Sequence, residues 1–325
     1  MDIGIVGLGG MGRVYWRVFE RIDGARVTAV VSSSISETEA AKRGAQAFRS
    51  IKELLQGARP ELCCVCTPSY LHFEHIYELL EAGVPVISEK PLAMSAAQAE
   101  TLFALAQKNG VRLYTAQVVR FAFPTKILRA LVCGGKYGRV LDASFSRLSA
   151  KPIWSAGNWV FDKKVSGFVP YELHLHDLDL IVSLFGLPKE ARMIGLGSNE
   201  HGYQEHCGFM YKYDGFMVRA EASWFDEDIP FTVEWRVCFE RAVAECRGET
   251  VTLYARGKAP EVFTPPDRGL AQSTGINVPA TDMYHDELVH FLDCAKRGAD
   301  SDIVVSGEVI EVIRILEDMT QNADA

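Results

Sequence analysis

A short apolar stretch, Asp2-Ile3-Gly4-Ile5-Val6, runs directly into Gly7-Leu8-Gly9-Gly10-Met11-Gly12, and apolar residues then recur at helical spacing from Met11 to Arg21. Few local patterns restrict a fold so tightly. A strand, a turn with glycines at positions 7, 9 and 12, and a helix make the opening of a βαβ unit whose turn can hold a pyrophosphate. The glycines permit the tight turn, the approach of backbone to phosphate and the contact of helix with strand, while the helix start offers unbonded N–H groups and a partial positive charge. Gly7, Gly9, Gly10, Met11 and Gly12 are therefore candidate cofactor-binding residues.

The alternation continues. Arg26–Val31 reads as a strand, and Ser36 with Glu39 three residues on forms a capping box that opens a helix through about Arg43. Then come a helix near Ile51–Gln56, a strand Leu62–Cys66, a helix Tyr70–Ala82, a strand Pro85–Ser88, a helix Ala96–Asn109 and a strand Arg112–Ala116. Strands separated by helical patterns of this length predict parallel βαβ units with right-handed crossovers. The expectation is a doubly wound parallel sheet, a Rossmann domain, over residues 1–118.

Beyond it the pattern changes. After a helix near Pro124–Cys133, the segments Val140–Leu148, Ala191–Ser198, His206–Tyr213, Phe216–Ser223, Thr232–Phe239, Ala242–Arg247 and Thr250–Tyr254 read as strands, with Tyr213-Asp214-Gly215-Phe216 the clearest hairpin. A helix around Tyr171–Phe185 interrupts them, and two more, near Thr281–Arg297 and Gly307–Gln321, follow. The expected fold class is α/β followed by α+β: residues 119–325 form an open, mainly antiparallel sheet with helices on one face. Aromatic and β-branched residues on the other face would be costly in water, so a homodimer or homotetramer through the open sheet is expected.

A chain of 325 residues is long enough for two such domains, at roughly 150 residues each. The formal charge of -8 argues against nucleic acid or an anionic membrane as the partner. No apolar run approaches the roughly 20 residues that span a bilayer, and Met1-Asp2 lacks the basic start of a secretory leader. Three of the cysteines, Cys63, Cys64 and Cys66, share one predicted strand, where core packing is the expected role. That usage points to a reducing cytoplasm.

Several polar residues fall where chemistry is expected. At the end of the second strand, Ser32-Ser33-Ser34 replaces the acidic residue that reads an NAD ribose, and serine hydroxyls suit a 2′-OH or a 2′-phosphate, so NAD and NADP both remain open. Thr67-Pro68-Ser69-Tyr70-Leu71-His72 follows the carboxyl end of a strand; Pro68 stiffens the turn, and Thr67 and His72 could contact the cofactor. Glu89-Lys90-Pro91 ends the next strand at the same edge, so Lys90 is either an acid/base beside the nicotinamide or a surface lysine paired with Glu89. Glu172, His176 and Asp179 recur at i, i+4 and i+7 on one helical face among leucines, and Asp179 could orient His176. Arg120 could reach substrate hydroxyls or, equally, join an interdomain salt bridge. Trp154 and Trp159 could stack on a sugar, whereas Trp224 and Trp235 read as packing residues. No set of His, Cys, Asp and Glu has metal-ligand spacing.

Taken in order, GLGGMG, TPSYLH, EKP, Val119-Arg120-Phe121, Gly135-Lys136-Tyr137-Gly138 and the Glu172–Asp179 helix resemble the Gfo/Idh/MocA family over nearly the whole chain. The resemblance implies a nicotinamide-dependent oxidoreductase acting on a secondary alcohol of a sugar, polyol or inositol-like compound. It implies that Lys90 and His176 act at the reacting hydroxyl with Glu172, in place of the usual aspartate, four residues before the histidine. His174 stands where the family usually has glycine, and Tyr284 stands near a tyrosine that members keep by the substrate, although an N-terminal capping role for Tyr284-His285-Asp286-Glu287 is equally open. Two other functions fit the same residues: glycosidic cleavage through a transient redox step, or dinucleotide sensing without catalysis.

Overall fold

The computed structural model describes residues 1–153, 155–162, 165–196, 205–274 and 279–322. Its contacts divide into two compact units. The first begins with a six-stranded sheet of β1 (Asp2–Val6), β2 (Arg26–Val31), β3 (Gln46–Phe48), β4 (Leu62–Val65), β5 (Val86–Ser88) and β6 (Leu113–Thr115). The order is β3-β2-β1-β4-β5-β6 and every pairing is parallel. This is the doubly wound arrangement in which the strand order reverses beside β1, opening a crevice outside the carboxyl ends of β1 and β4. Five helices alternate with the strands: α1 (Gly10–Phe19), α2 (Glu37–Lys42), α3 (Ile51–Gly57), α4 (His72–Glu81) and α5 (Ala96–Lys108).

The local chemistry explains the boundaries. Ser36, Ser50 and Ser95 each accept a hydrogen bond from the backbone N–H three residues on, capping α2, α3 and α5, and the Ser36–Glu39 capping box forms as expected. Ile3, Ile5, Val14, Trp16 and Phe19 fill the core between β1 and α1. Cys63, Cys64 and Cys66 are buried free thiols; burial pushes the Cys63 thiol up to about 12 and raises the other two as well. They are packing residues.

In the second unit, α6 (Phe123–Cys133) precedes an eight-stranded sheet. Its strands are β7 (Val140–Ala150), β8 (Glu190–Leu196), β9 (His206–Lys212), β10 (Met217–Phe225), β11 (Thr232–Phe239), β12 (Ala242–Arg247), β13 (Thr250–Ala255) and β14 (Glu261–Phe263). The order is β14-β13-β12-β11-β7-β10-β9-β8, antiparallel throughout except for β7 beside β10. The Tyr213–Phe216 turn closes with a 3.0 Å bond from Tyr213 N–H to Phe216 O, and Gly215 supplies the positive φ of 81°. Between β7 and β8 run a π-helical turn, Pro170–His174, and α7 (Leu175–Phe185).

Most large apolar sheet residues point one way, with Ile194, Met210 and Tyr254, all toward the sheet's margins, on the other side. Phe145, Phe209, Tyr211, Trp235 and Val237 are buried, while the alternate positions carry Ser144, Ser146, Arg219, Glu221, Glu234, Arg236, Glu245 and Arg247. On that polar face Ser146 bonds Glu221 at 2.8 Å and Arg219 bonds Asp142 at 2.8 Å. The expectation that aromatic and β-branched side chains cover the open face is therefore corrected. Period-two alternation sends them to the side packed by the π-helical turn and α7, and the hydrophobic argument for assembly through the middle of the open face is lost.

Two buried ion pairs fasten α7. Arg147 on β7 donates to Asp177 at 2.9 and 2.7 Å, and Arg120 donates to Asp179 at 2.7 and 2.7 Å. Both pairs are two-pronged and almost without solvent contact, so each charge depends on its partner.

The expected domain division at residue 118 marks only the first crossing. The segment that begins at Leu270 and residues Ala280–Ile313 belong to the first unit. There α8 (Met283–Arg297) packs on α1, Phe291 stacks on Tyr114 of β6 at 5.2 Å, and Tyr114 Oη donates to Ala299 O at 2.7 Å. The last helix, α9 (Ser306–Gln321), contributes residues to both units, which divide at Ile313 and Arg314. Among the described residues no helix is long and apolar enough to cross a membrane.

Asp177→Ala strands the Arg147 guanidinium inside the second unit and is expected to cost about 3–5 kcal/mol, read from urea unfolding. The double variant Arg147→Met/Asp177→Leu removes both charges and is expected to recover most of that loss.

Candidate functional site

The glycine turn is built as a cradle. Gly7 holds φ at +92° and its N–H bonds Val31 O at 2.9 Å, tying the turn to β2. A Cβ on Gly12 would lie 2.1 Å from Gly7 O, closer than any side chain tolerates, so α1 begins in direct contact with the turn. A Cβ on Gly9 would meet nothing within 4 Å, which leaves that side open to a ligand. Gly9 caps α1 without a side-chain hydrogen bond, and no acidic residue stands in the first turn. Open N–H groups, free space and no opposing carboxylate fit a pyrophosphate-bearing cofactor.

The loop after β2 is fastened to this turn. Ser32 and Ser34 hydroxyls lie 2.9 Å apart, and Ser34 Oγ donates to Leu8 O at 3.3 Å; Ser33 beside them is exposed. Glu39 is engaged by the capping box, where hydrogen bonds from Ser36 hold its carboxyl below the ordinary carboxylate range. Hydroxyl groups, rather than an acid, thus stand at the end of β2 where a ribose reader was expected. Arg49 was not anticipated: its guanidinium donates to Ser32 O at 3.1 Å. The three-residue β3 that delivers it is too short for a periodic signal, and Gly44 and Ser50 on either side are the only sequence punctuation.

At the carboxyl ends of β4 and β5 the two expected loops meet. Thr67 is half-buried and its hydroxyl lies 3.1 Å from His75 Nδ1. Pro68 precedes a short 3-10 turn, Ser69–Leu71. His72 points inward: it is 1% exposed, with Nδ1 2.6 Å from Pro91 O and Nε2 2.8 Å from Thr67 O. Direct contact of His72 with a cofactor is corrected, because both ring nitrogens are directed at backbone carbonyls. Glu89 is buried; its N–H bonds Val65 O at 2.9 Å, and its carboxylate accepts from the Lys90 N–H at 3.3 Å. Lys90 is half-buried.

In the second unit, Glu172 is buried within the π-helical turn and His176 is half-buried in the first turn of α7. A π-helical turn with i→i+5 winding carries Glu172 over Pro170–His174, where the i, i+4, i+7 spacing presumed a continuous α-helix. Arg120 and Asp179 bond each other in the core, so Arg120 takes a salt bridge, within the second unit, and the substrate contact offered for both is corrected. His174 is fully buried, stacked on Phe209 at 3.5 Å, with Nε2 2.5 Å from Tyr211 Oη. Burial, and then the nearby Arg147, push its pKa well below that of a free histidine, so it is neutral. The Arg147–Asp177 pair carried no signal beyond an arginine in a predicted strand.

Trp159 is half-buried in the 3-10 segment Ala156–Phe161; Trp154 lies outside the described residues. Trp224 packs edge-on against Phe161, and Trp235 is buried, as expected of core aromatics. Tyr284 is buried in the first turn of α8. Its helix has no side-chain cap at Asp282 and carries Asp286 as the acid of its first turn. Among the described residues no group of three or more His, Cys, Asp or Glu could hold a metal ion. Gly7, Gly9, Gly12, Ser32, Thr67, Glu89 and Lys90 belong to the first unit; Glu172 and His176 belong to the second.

Residues 1–117 match the oxidoreductase family with an NAD-binding Rossmann fold, and residues 125–245 match the GFO/IDH/MocA C-terminal domain. D-glucoside 3-dehydrogenase of Escherichia coli is 29% identical over 205 residues, 61% of this chain and 58% of that protein. 2,7-Anhydro-N-acetylneuraminate hydratase of Mediterraneibacter gnavus is 29% identical over 192 residues, 59% of this chain and 51% of that protein. The match thus spans little more than half the length of these relatives. A solved UDP-N-acetylglucosamine 3-dehydrogenase from Acidithiobacillus ferrooxidans superposes with a TM-score of 0.81 over 99% of this chain and 97% of its own, at 20% identity, which is a likeness of fold.

Gly12→Ala drives a methyl group into the Gly7 carbonyl. It is expected to weaken NAD(P) binding at least about tenfold by calorimetry, the equivalent of 1.4 kcal/mol, while the unfolding transition of the second unit stays in place.

Proposed function

Because the chain belongs to the Gfo/Idh/MocA oxidoreductase family, we propose that it is an NAD(P)-dependent dehydrogenase acting on a secondary alcohol of a sugar, polyol or inositol-like compound. The observation that carries this reading is the pairing, within one unit, of the glycine cradle with a loop that presents Lys90 at the carboxyl edge of the same sheet. Ligands of open α/β sheets bind along that edge.

Bound nicotinamide supplies a hydride acceptor or donor. Lys90 donates a hydrogen bond to the substrate oxygen and stabilises its alkoxide character. His176 takes the hydroxyl proton during oxidation and returns it during reduction, and Glu172 orients the imidazole. The Ser32–Ser34 hydroxyls and Arg49 line the part of the loop that distinguishes a ribose 2′-OH from a 2′-phosphate. Trp159 offers an aromatic surface to the C–H face of a sugar.

One observation favours a second reading. A relative is named a hydratase, a reaction without net redox change, and this suits a nicotinamide that is used and restored within each turnover. Cofactor that remains bound through purification, with turnover independent of added NAD(P), would select it.

The cytoplasm is the proposed compartment, in keeping with eight free cysteines. Self-association is proposed near the β8 edge, where Ile194 and Met210 are exposed; light scattering that returns a monomer at micromolar concentration would remove it.

Lys90→Ala is expected to lower turnover by at least about a hundredfold, the lower range for loss of a positioned acid/base, with NAD(P) affinity nearly unchanged. The check is absorbance of reduced nicotinamide across sugars, inositols and their keto forms, with NAD and NADP separately. Full turnover in the variant would dismiss the assignment.

A further inference from the structure

His72 lies under both cofactor-edge loops, and its surroundings fix its charge. A backbone carbonyl oxygen can only accept a hydrogen bond. Pro91 O is 2.6 Å from Nδ1 and Thr67 O is 2.8 Å from Nε2. A neutral imidazole has one N–H and one lone pair, so either tautomer would press a lone pair against a carbonyl oxygen at one of these distances. Only the imidazolium donates to both. We propose that His72 is a buried cation in the folded protein, and that this cation positions Lys90 by tying the loop after β4 to the loop after β5.

The need for such a tie follows from the sheet. The β4–β5 ladder runs from Cys63–Val86 to Val65–Ser88, and one further bond joins Glu89 N–H to Val65 O. Past that point the ladder ends, and one backbone runs into Thr67 and Pro68, the other into Lys90 and Pro91. The His72 ring spans the gap from the start of α4 with two charge-assisted hydrogen bonds, among the stronger kinds available inside a protein. Burial opposes the charge and the paired acceptors favour it; at 2.6 and 2.8 Å the acceptors decide.

The elements packed here carry other ionisable groups: Glu74 and His75 on α4, Glu89 and Lys90 after β5, Cys66 after β4, Glu100 on α5, and Lys52 and Glu53 on α3. Burial holds His75 toward its neutral form and Cys66 as a thiol, so neither competes for the charge. With a folded pKa above the unfolded value of about 6.5, the stabilisation from His72 is complete below that value. It is lost as pH rises through the folded pKa.

The positioning part rests on the role proposed for Lys90; the charge does not, and the experiment separates them. In nitrogen-15 spectra of the intact protein at pH 8, both His72 ring nitrogens are expected to be protonated, with His72→Gln providing the assignment. A neutral ring at pH 8 overturns the proposal whatever the enzyme turns over. Hydrogen exchange then reads the loops. A glutamine amide places both donors on one nitrogen and turns its oxygen toward a carbonyl, so His72→Gln is expected to speed exchange at Glu89 by about tenfold or more. In the wild type, exchange at Glu89 should show an additional step upward as pH crosses the folded pKa of His72, and the variant should lack it. Unchanged protection at Glu89 in a folded variant, or the same pH step in both proteins, overturns the positioning role even where Lys90→Ala abolishes turnover.

Discussion

The approach of Gly12 to the carbonyl of Gly7 is the constraint from which the first unit is organised. With 2.1 Å available where a Cβ would stand, α1 can start only if that residue has no side chain. That contact aims the open N-terminus of α1 along the turn and leaves the space beside Gly9 clear. The bonds from Gly7 N–H to Val31 and from Ser34 to Leu8 then fix the loop after β2 against the same turn. The glycine turn and the loop after β2 are parts of one hydrogen-bonded object, organised around three positions without side chains.

Much of this could be read in the chain before any coordinates. Alternating strands and helices, serine caps and a glycine turn are local signals, each with its own physical cause within a few residues, and the strands and helices of the first sheet formed nearly where expected. Two short elements escaped: β3 (Gln-Ala-Phe) and β14 (Glu-Val-Phe) each span three residues and open on a polar side chain, without the apolar start that marked the equally short β5 and β6. The π-helical turn at Pro170–His174 escaped for a different reason. Helical spacing alone cannot distinguish four residues per bond from five, and the wider turn changes which residues share a face.

Charged residues were harder to read than apolar ones. Arg120 and Asp179 lie in motifs that carry the family resemblance, and both have chemistry suited to a hydroxylated substrate. The structure uses them to hold α7, and uses Arg147 and Asp177 the same way on the next residue face. A sequence shows that a charge exists; only the fold shows whether its partner is inside the protein. Buried pairs of this kind contribute little net stability compared with apolar packing, but they resist sliding or rotation of the helix, since any shift strands a charge. His176 immediately precedes Asp177, in the first turn of the helix that these pairs hold.

The return of α8 to the first unit changes what counts as one domain. Tyr114 stacks on Phe291, and Arg112, just before β6, and Tyr114, within it, bond the carbonyls of Gly298 and Ala299 just past the C-terminal end of α8. The nucleotide-binding unit is therefore begun by β1–β6 and completed only after the whole intervening sheet has been made. Its last strand must wait, with an aromatic flank uncovered, for a helix encoded far downstream. Cutting the chain at the end of β6 would yield a fragment missing part of its own wall, whereas an insertion in the second sheet would lengthen the delay and leave that wall intact.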